Sequence, residues 1–146
     1  MPSVKDLMTT NVITIDVNKT VIDAAELMDN GQVGCLVILD GEAPVGIVTE
    51  RDIVRRIVAK KRTFDVKISE IMSHPLLFID PDASIRQAAR IMTKNKIRRL
   101  PVLEDTKLVG LLVVSDFARQ LSKKTITEEI LEAIARYPPN HDFIYS

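Results

Sequence analysis

Residues 45–52 read VGIVTERD, and residues 109–116 read VGLLVVSD. The two stretches lie 64 positions apart, and the same offset aligns residues 4–58 with residues 68–122 without a gap. This period is longer than the roughly 20–50 residues of solenoid repeats. The chain therefore contains two copies of one unit. A pair of copies implies a pseudo-twofold axis with clefts between the copies, and we expect function to lie in those clefts.

The composition limits the class of protein. The 146 residues are about the length of one domain, and a single copy of about 60 residues would be marginally stable. Lys and Arg together number 20, as do Asp and Glu, so no overall field favours nucleic acids or membranes. The single cysteine, Cys35, excludes an intrachain disulfide and a cysteine-rich metal site.

No targeting or catalytic motif is evident. The N-terminus lacks the pattern of a signal peptide, and no apolar run approaches the ~20 residues that span a bilayer, so we expect a soluble cytoplasmic protein. His74 and His141 lack metal-ligand spacing. There is no Ser/His/Asp arrangement and no glycine-rich phosphate loop, so we do not expect an enzyme.

The hydrophobic pattern predicts the same order of elements in each copy. Thr20 precedes apolar residues at helical spacing, Asp23 completes a capping box, and Gly31 is expected to end the helix. Two apolar runs joined by a polar turn then predict a hairpin. With a short strand before the helix (12–15 or 76–79) and a closing helix (51–60 or 116–123), the unit is strand–helix–strand–strand–helix. The predicted class is α+β.

These elements divide the chain into residues 1–62, residues 63–124 and a tail of residues 125–146. Thr125 and Glu128 open a further predicted helix, which we expect to pack on the repeats or on a second chain.

Thr49 and Asp52 stand where a buried strand leads into a helix. From the residues alone, we favour a capping box over a ligand site. An alternative is that the helix N-terminus attracts a phosphate while the carboxylate binds a ribose diol. In the second copy Val113 replaces Thr49 and Asp116 is retained, which hints at a role for the aspartate beyond capping.

The residues before the hairpins differ in charge between the copies. Arg98 and Arg99 precede the second hairpin, and one of them could reach a cleft and pair with a phosphate. Gly34 and Cys35 occupy the matching positions in the first copy. Cys35 is interpreted as a small packed residue because neither histidine can be paired with it from the sequence.

The repeated motifs resemble tandem cystathionine-β-synthase (CBS) domains, known as a Bateman module, over residues 4–122. The resemblance implies paired units that pack through their sheets, often as homodimers. It also implies binding of adenosine-containing ligands (AMP, ADP, ATP, S-adenosylmethionine) between the units. The implied role is to sense such a ligand and regulate an attached or partner protein, with no cofactor required.

Carried over to this sequence, the resemblance implies two clefts that are each built from both copies. The first cleft would be formed by Thr49, Arg51 and Asp52 together with Leu77, Ile97, Arg98 and Arg99. The second would be formed by Ser115 and Asp116 together with Ile13, Thr14, Gly34 and Cys35. We expect the first cleft to bind the more highly charged nucleotide, because Val113 removes a hydroxyl from the second.

The leading hypothesis is a stand-alone sensor of adenine nucleotides that acts on an effector protein in trans. One alternative is a structural dimerisation module with vestigial clefts. Another is nucleic-acid binding through Lys60-Lys61-Arg62 and Arg98-Arg99, which the zero net charge argues against.

Overall fold

A computed structural model of the chain describes residues 2–117, which form two compact units. The first-repeat unit contains residues 12–76, and the second-repeat unit contains residues 2–11 together with residues 77–117. Both units mix helices with strands, which confirms the predicted α+β class. The predicted division at residues 62 and 63 stays a prediction. The predicted C-terminal helix and tail lie outside the described residues.

The elements are short, and the predicted ones occur in the predicted order, with two further short helices at residues 4–7 and 68–70 that were not predicted. Along the chain they are α1 (Val4–Leu7), β1 (Thr14–Asp16), α2 (Val21–Gly31), β2 (Cys35–Asp40), β3 (Ala43–Thr49), α3 (Glu50–Ile53), a π-helix (Val54–Val58), a 3-10 helix (Ile68–Glu70), α4 (Ile85–Asn95), β4 (Arg99–Glu104) and β5 (Lys107–Val113). Residues 114–117 are also helical.

The first-repeat unit is built on a three-stranded sheet. The strand order is β1-β2-β3, with β1 parallel to β2 and β2 antiparallel to β3. The core of the unit joins this sheet to α2, to the π-helix and to the segment around the 3-10 helix. Its buried members are Ile15, Val21, Ala24, Met28, Leu36, Ile38, Val48, Ile57, Ile68 and Ile71.

The second-repeat unit has the antiparallel pair β4-β5, and its predicted first strand is reduced to one parallel bridge between Ile79 and Val102. The causes are Pro81 and Pro101. In the first repeat, the Val37 amide donates to the Ile13 carbonyl at 3.2 Å and the Val17 amide donates to the Leu39 carbonyl at 2.8 Å. Pro101 and Pro81 occupy the two matching donor positions and have no amide hydrogen, so the ladder loses one bond at each end.

The two longer helices begin as predicted, and α2 ends at Gly31 as expected, with the left-handed residue one position later. The Thr20 hydroxyl accepts a hydrogen bond from the Asp23 amide, and Asp23 bonds back to Thr20, which confirms the capping box. Ser84 caps α4 in the same way through the Gln87 amide, at 3.0 Å. Gly31 does not supply the left-handed residue at the end of α2. Gln32 does so, with φ of 53°, and Lys96 repeats this after α4 with φ of 54°.

Each repeat begins with a lead segment, residues 3–9 or 67–73, that belongs to the compact unit of the other repeat. The first lead segment belongs to the second-repeat unit, where Val4 and Thr9 donate amide hydrogens to the carbonyls of Ala83 and Leu111. The second lead segment belongs to the first-repeat unit, where Ser73 and Ile47 exchange two backbone bonds. The repeats have therefore traded their first residues.

Candidate functional site

Thr49 and Asp52 form a buried capping box at the end of β3. Both residues are almost fully buried, with 0% and 6% of their surface exposed. The Asp52 Oδ2 atom accepts hydrogen bonds from the Thr49 amide at 2.9 Å and the Thr49 hydroxyl at 3.1 Å. The Asp52 amide donates back to the Thr49 hydroxyl at 3.2 Å. The capping interpretation is correct, because all the bonds of the box are present.

Burial makes the Asp52 carboxylate electrostatically unusual. Loss of hydration raises the pKa of Asp52 above the usual 3.8, although hydrogen bonds from Thr49 and the charges of Arg56 and Arg51 act in the opposite direction. The Arg56 Nε atom lies 3.6 Å from Asp52 Oδ1, and its guanidinium also donates to the Ile71 carbonyl at 2.8 Å. Oδ1 therefore keeps acceptor capacity for a further donor.

Arg56 is the residue at this site that sequence reasoning missed. The signal was present, because Arg56 follows Asp52 at the i,i+4 spacing that brings side chains together on a helix. Arg51, which was predicted for this site, is partly exposed and lies with Asp52 on α3.

Within the first-repeat unit, Gly34 and Cys35 lie directly beside Thr49. Cys35 pairs with Thr49 across the sheet, and the Glu50 amide donates to the Gly34 carbonyl at 2.9 Å. Cys35 is 5% exposed, as expected of a packed residue. Thr14 lies in the neighbouring strand β1, where it pairs with Val37, and Ile13 directly precedes that strand.

In the second-repeat unit, Asp116 occupies the position of Asp52. It is 2% exposed, and its Oδ2 accepts a hydrogen bond from the Val113 amide at 2.7 Å. Asp116 therefore caps the helix through the backbone even though Val113 has no hydroxyl. This bond weakens the hint, drawn from the sequence, that Asp116 has a role beyond capping. Ser115 is exposed.

Arg98 and Arg99 lie beside Val113 and Val114, the residues that lead to Asp116, in this same unit. The Val114 amide donates to the Arg98 carbonyl at 3.0 Å, and Arg99 pairs with Val113 across β4 and β5. Ile97 is fully buried just before them, and Leu77 is partly buried. Arg98 therefore precedes β4 and Arg99 begins it, and both lie close to the end of β5, which leads to Asp116.

The structure therefore groups the predicted site residues by unit. Thr49 and Asp52 lie with Gly34 and Cys35, whereas Asp116 lies with the two arginines. The crosswise grouping from the sequence, in which Arg98 and Arg99 serve Asp52, stays a prediction.

A separate cavity of about 290 Å³ opens in the first-repeat unit and contains none of the predicted site residues. It is lined by Ile15, Lys19, Asp23, Glu26, Leu27 and Asn30. Within residues 2–117, no group of three His, Cys, Asp or Glu side chains is arranged to hold a metal ion. No helix in the same part of the chain is long and apolar enough to cross a membrane.

Comparison with known families and structures gives consistent matches. The CBS domain model matches twice, over residues 4–59 and 68–123. The CBS domain-containing protein YhcV of Bacillus subtilis is 37% identical over 126 residues, which cover 86% of this chain and 90% of the relative.

Two solved structures have the same fold. The CBS domain pair of protein MJ0100, in complex with 5′-methylthioadenosine and S-adenosylmethionine, matches with a TM-score of 0.76 and 28% identity. The match covers 86% of this chain and 99% of that structure. A hexameric CBS-CP12 protein from bloom-forming cyanobacteria matches with a TM-score of 0.77 and 32% identity, over 91% of this chain and 82% of that structure.

Proposed function

The chain belongs to the CBS domain family, and we propose that it is a regulatory module that binds an adenosine-containing ligand and modulates a partner protein in trans. The proposed ligands are AMP, ADP, ATP and S-adenosylmethionine. The bound nucleosides of the MJ0100 pair, a relative at 28% identity, support this ligand class. We further propose a non-enzymatic role in the cytoplasm.

The observation that carries the proposal is the buried aspartate where a strand leads into a helix in each unit. Asp52 and Asp116 occupy matching positions and are 6% and 2% exposed. A buried carboxylate is costly unless its oxygens are satisfied. The Asp52 Oδ2 atom already accepts two hydrogen bonds from Thr49, whereas Oδ1 could accept hydrogen bonds from a ribose diol.

The phosphate part of the proposal depends on the arginines. Under the crosswise prediction, Arg99 serves the same ligand as Asp52, and that site binds the more highly charged nucleotide. Arg99 lies near Asp116, however, which makes a site containing Asp116 and Arg99 the alternative. A guanidinium binds phosphate oxygens well in either arrangement.

The test is isothermal titration of the full chain with AMP and with ATP. We expect Asp52→Ala and Asp116→Ala each to weaken one binding event by roughly tenfold to a hundredfold, since hydrogen bonds to a charged group are worth about 1.5–3 kcal/mol. Arg99→Ala shows which aspartate shares its ligand, because it should weaken the same event as one of the two variants. Asp52→Asn, which keeps an acceptor for the cap, separates loss of charge from loss of folding.

Asp23→Ala is the matched control, because Asp23 forms the same kind of capping box away from the candidate site. It should leave both binding events unchanged. If no adenosine ligand binds, and none raises the melting temperature of the protein by mass action, the hypothesis of a structural dimerisation module is favoured. A gel shift with strong salt dependence would instead favour nucleic-acid binding.

Self-association is part of the proposal. The CBS-CP12 relative is hexameric, which supports assembly of chains of this fold. We propose a homodimer for this chain, and sedimentation equilibrium with and without nucleotide would measure it.

A further inference from the structure

Two methionines at matching positions contact two glycines at matching positions. Met8 and Met72 are 64 residues apart, and so are Gly46 and Gly110. A Cβ atom on Gly110 would lie 2.5 Å from the Met8 sulfur, and a Cβ atom on Gly46 would lie 2.7 Å from the Met72 sulfur. Each sulfur therefore fills the space that a side chain would need at the glycine, once in each unit.

The backbone holds each methionine beside its strand. The methionine amide donates to the carbonyl four residues earlier, at 2.9 Å for Met8 and 3.0 Å for Met72. The residue that follows exchanges two backbone hydrogen bonds of 2.9 to 3.2 Å with β5 in the first case and with β3 in the second. The sulfur is thus part of the contact that attaches each lead segment to a hairpin.

Solvent reaches this pair of methionines more readily than it reaches another matched pair. Met28 and Met92, in α2 and α4, are 4% and 0% exposed. Met8 and Met72 are partly exposed. A dissolved oxidant has to reach the thioether, so the two pairs should differ in reactivity. The chain therefore contains its own buried reference for chemistry at Met8 and Met72.

We propose that Met8 and Met72 are modification sites at which a peroxide detaches the lead segments. With hydrogen peroxide, the thioether sulfur gives an electron pair to one peroxide oxygen and the O–O bond breaks. The departing hydroxide takes the proton of the new S–OH group and leaves as water. Sulfur is oxidised to a sulfoxide while the peroxide is reduced, so the step needs no other reactant.

A sulfoxide cannot keep the contact that the thioether makes. Its oxygen is polar, and burying a polar atom without a hydrogen-bond donor is costly. The polar atom beside each Cβ position is a carbonyl oxygen, of Ser73 or Thr9, at 3.0 Å. A carbonyl accepts hydrogen bonds and donates none, so it repels the new oxygen. The oxidised side chain therefore turns outward, and the sulfur contact is lost.

This release extends to the aspartate motifs, because the same strands lead to them. Gly46 lies three residues before Thr49 in β3, and Gly110 lies three residues before Val113 in β5. Thr49 and Val113 hold the buried aspartates through backbone hydrogen bonds. We therefore expect the oxidised protein to bind its adenosine ligand more weakly. That consequence rests on the proposed function, whereas the modification itself does not.

The experiment treats the full chain with hydrogen peroxide and follows each methionine by peptide mass spectrometry. We expect Met8 and Met72 to be oxidised about tenfold faster than Met28 and Met92. The oxidised protein should melt roughly 4–8 °C lower, and β3 and β5 should lose more protection in hydrogen exchange than α2 and α4. Methionine sulfoxide reductase should reverse both changes without any substitution.

Leucine variants separate oxidation from packing, since methionine also serves simply to fill gaps. M8L/M72L keeps the side-chain volume and removes the sulfur, so it should stay folded and become insensitive to peroxide. M28L/M92L is the matched control and should respond to peroxide like the unchanged protein. In M8L alone, the loss of protection should be confined to β3, and in M72L alone to β5.

Two outcomes at the methionines would overturn the inference: equal oxidation of both pairs, or oxidation of Met8 and Met72 with no loss of protection. A peroxide effect that survives in M8L/M72L would also overturn it, because Cys35 would then be the site.

Titration with AMP before and after oxidation separates this inference from the proposed function. If AMP binds neither form, the proposed sensor fails while mass spectrometry and hydrogen exchange still decide the modification. If AMP binds both forms equally although the lead segments are released, the link to the ligand site is wrong.

Discussion

At the scale of single residues, the chain contains one motif in two environments. Asp23 and Asp52 each accept hydrogen bonds from the amide and hydroxyl of the threonine three residues earlier. The distances are 3.0 and 2.9 Å for Asp23, and 2.9 and 3.1 Å for Asp52. Asp23 remains partly exposed, whereas Asp52 is buried. The bonds to threonine are thus the same, and the two aspartates differ in hydration and in the ion pair of Asp52 with Arg56.

We predict that the two aspartates titrate on opposite sides of 3.8. Hydrogen bonds from Thr20 lower the pKa of Asp23, whereas desolvation raises the pKa of Asp52. Asp23 therefore adds stability that is present above 3.8 and is lost as the pH falls through its folded pKa. Asp52 contributes in the opposite sense, since stability falls as the pH rises from 3.8 to its folded pKa.

Carbon-detected NMR titration of the carboxyl groups measures both values. Urea denaturation across the same pH range measures the free energy of unfolding. In Asp23→Asn, the loss of stability at low pH that Asp23 causes should disappear. In Asp52→Asn, the fall in stability with rising pH that Asp52 causes should disappear. A folded pKa for Asp52 below 3.8 would contradict the assigned role of burial.

At the scale of elements, a glycine in each hairpin lets a lead segment approach β3 or β5. A Cβ atom on Gly46 would lie 2.7 Å from the Met72 sulfur and 3.0 Å from the Ser73 carbonyl oxygen. A Cβ atom on Gly110 would lie 2.5 Å from the Met8 sulfur and 3.0 Å from the Thr9 carbonyl oxygen. The repeated Met and Gly positions in the sequence therefore mark two equivalent contacts.

We predict that Gly46→Ala and Gly110→Ala each lower the free energy of unfolding by about 1–3 kcal/mol, the usual cost of overpacking. Thermal and urea denaturation measure this effect. The double variant Met8→Ala/Gly110→Ala should cost less than the sum of the single changes, because one clash is removed with its partner. Simple additivity would mean that the Thr9 backbone, and not the methionine, sets the limit.

At the scale of the whole molecule, the exchange of lead segments links distant parts of the sequence. Leu7 and Ile71 occupy matching positions in the two lead segments, and both are buried. Leu7 belongs to the second-repeat unit, while Ile71 belongs to the core of the first-repeat unit.

We predict that Leu7→Ala and Ile71→Ala destabilise opposite units. Each should cost about 2–5 kcal/mol as a cavity-forming change in a packed core. In native-state hydrogen exchange, Leu7→Ala should reduce the protection of β4 and β5 more than that of β2 and β3, and Ile71→Ala should do the reverse. Each variant is the control for the other, and uniform loss throughout the chain would contradict the assignment of the lead segments.

Much of this architecture could be predicted from the sequence because it depends on local rules. Helical spacing and the hydroxyl caps at Thr20 and Ser84 located α2 and α4, and apolar runs around a polar turn located both hairpins. One local prediction was wrong in detail, since the strand before α4 shrinks to a bridge. Pro81 and Pro101 explain this difference, because neither can donate a backbone hydrogen bond to the ladder.

The 64-residue offset was enough to establish a duplicated α+β unit, and the repeated motifs indicated the CBS family through their resemblance to it. Which parts of the two copies lie together became clear from the structure alone. It places Met8 against Gly110, Arg99 opposite Val113, and Arg56 beside Asp52. The physical reason is that periodicity and capping are properties of neighbouring residues, whereas the exchange of lead segments and the burial of Asp52 depend on contacts between residues far apart in the chain.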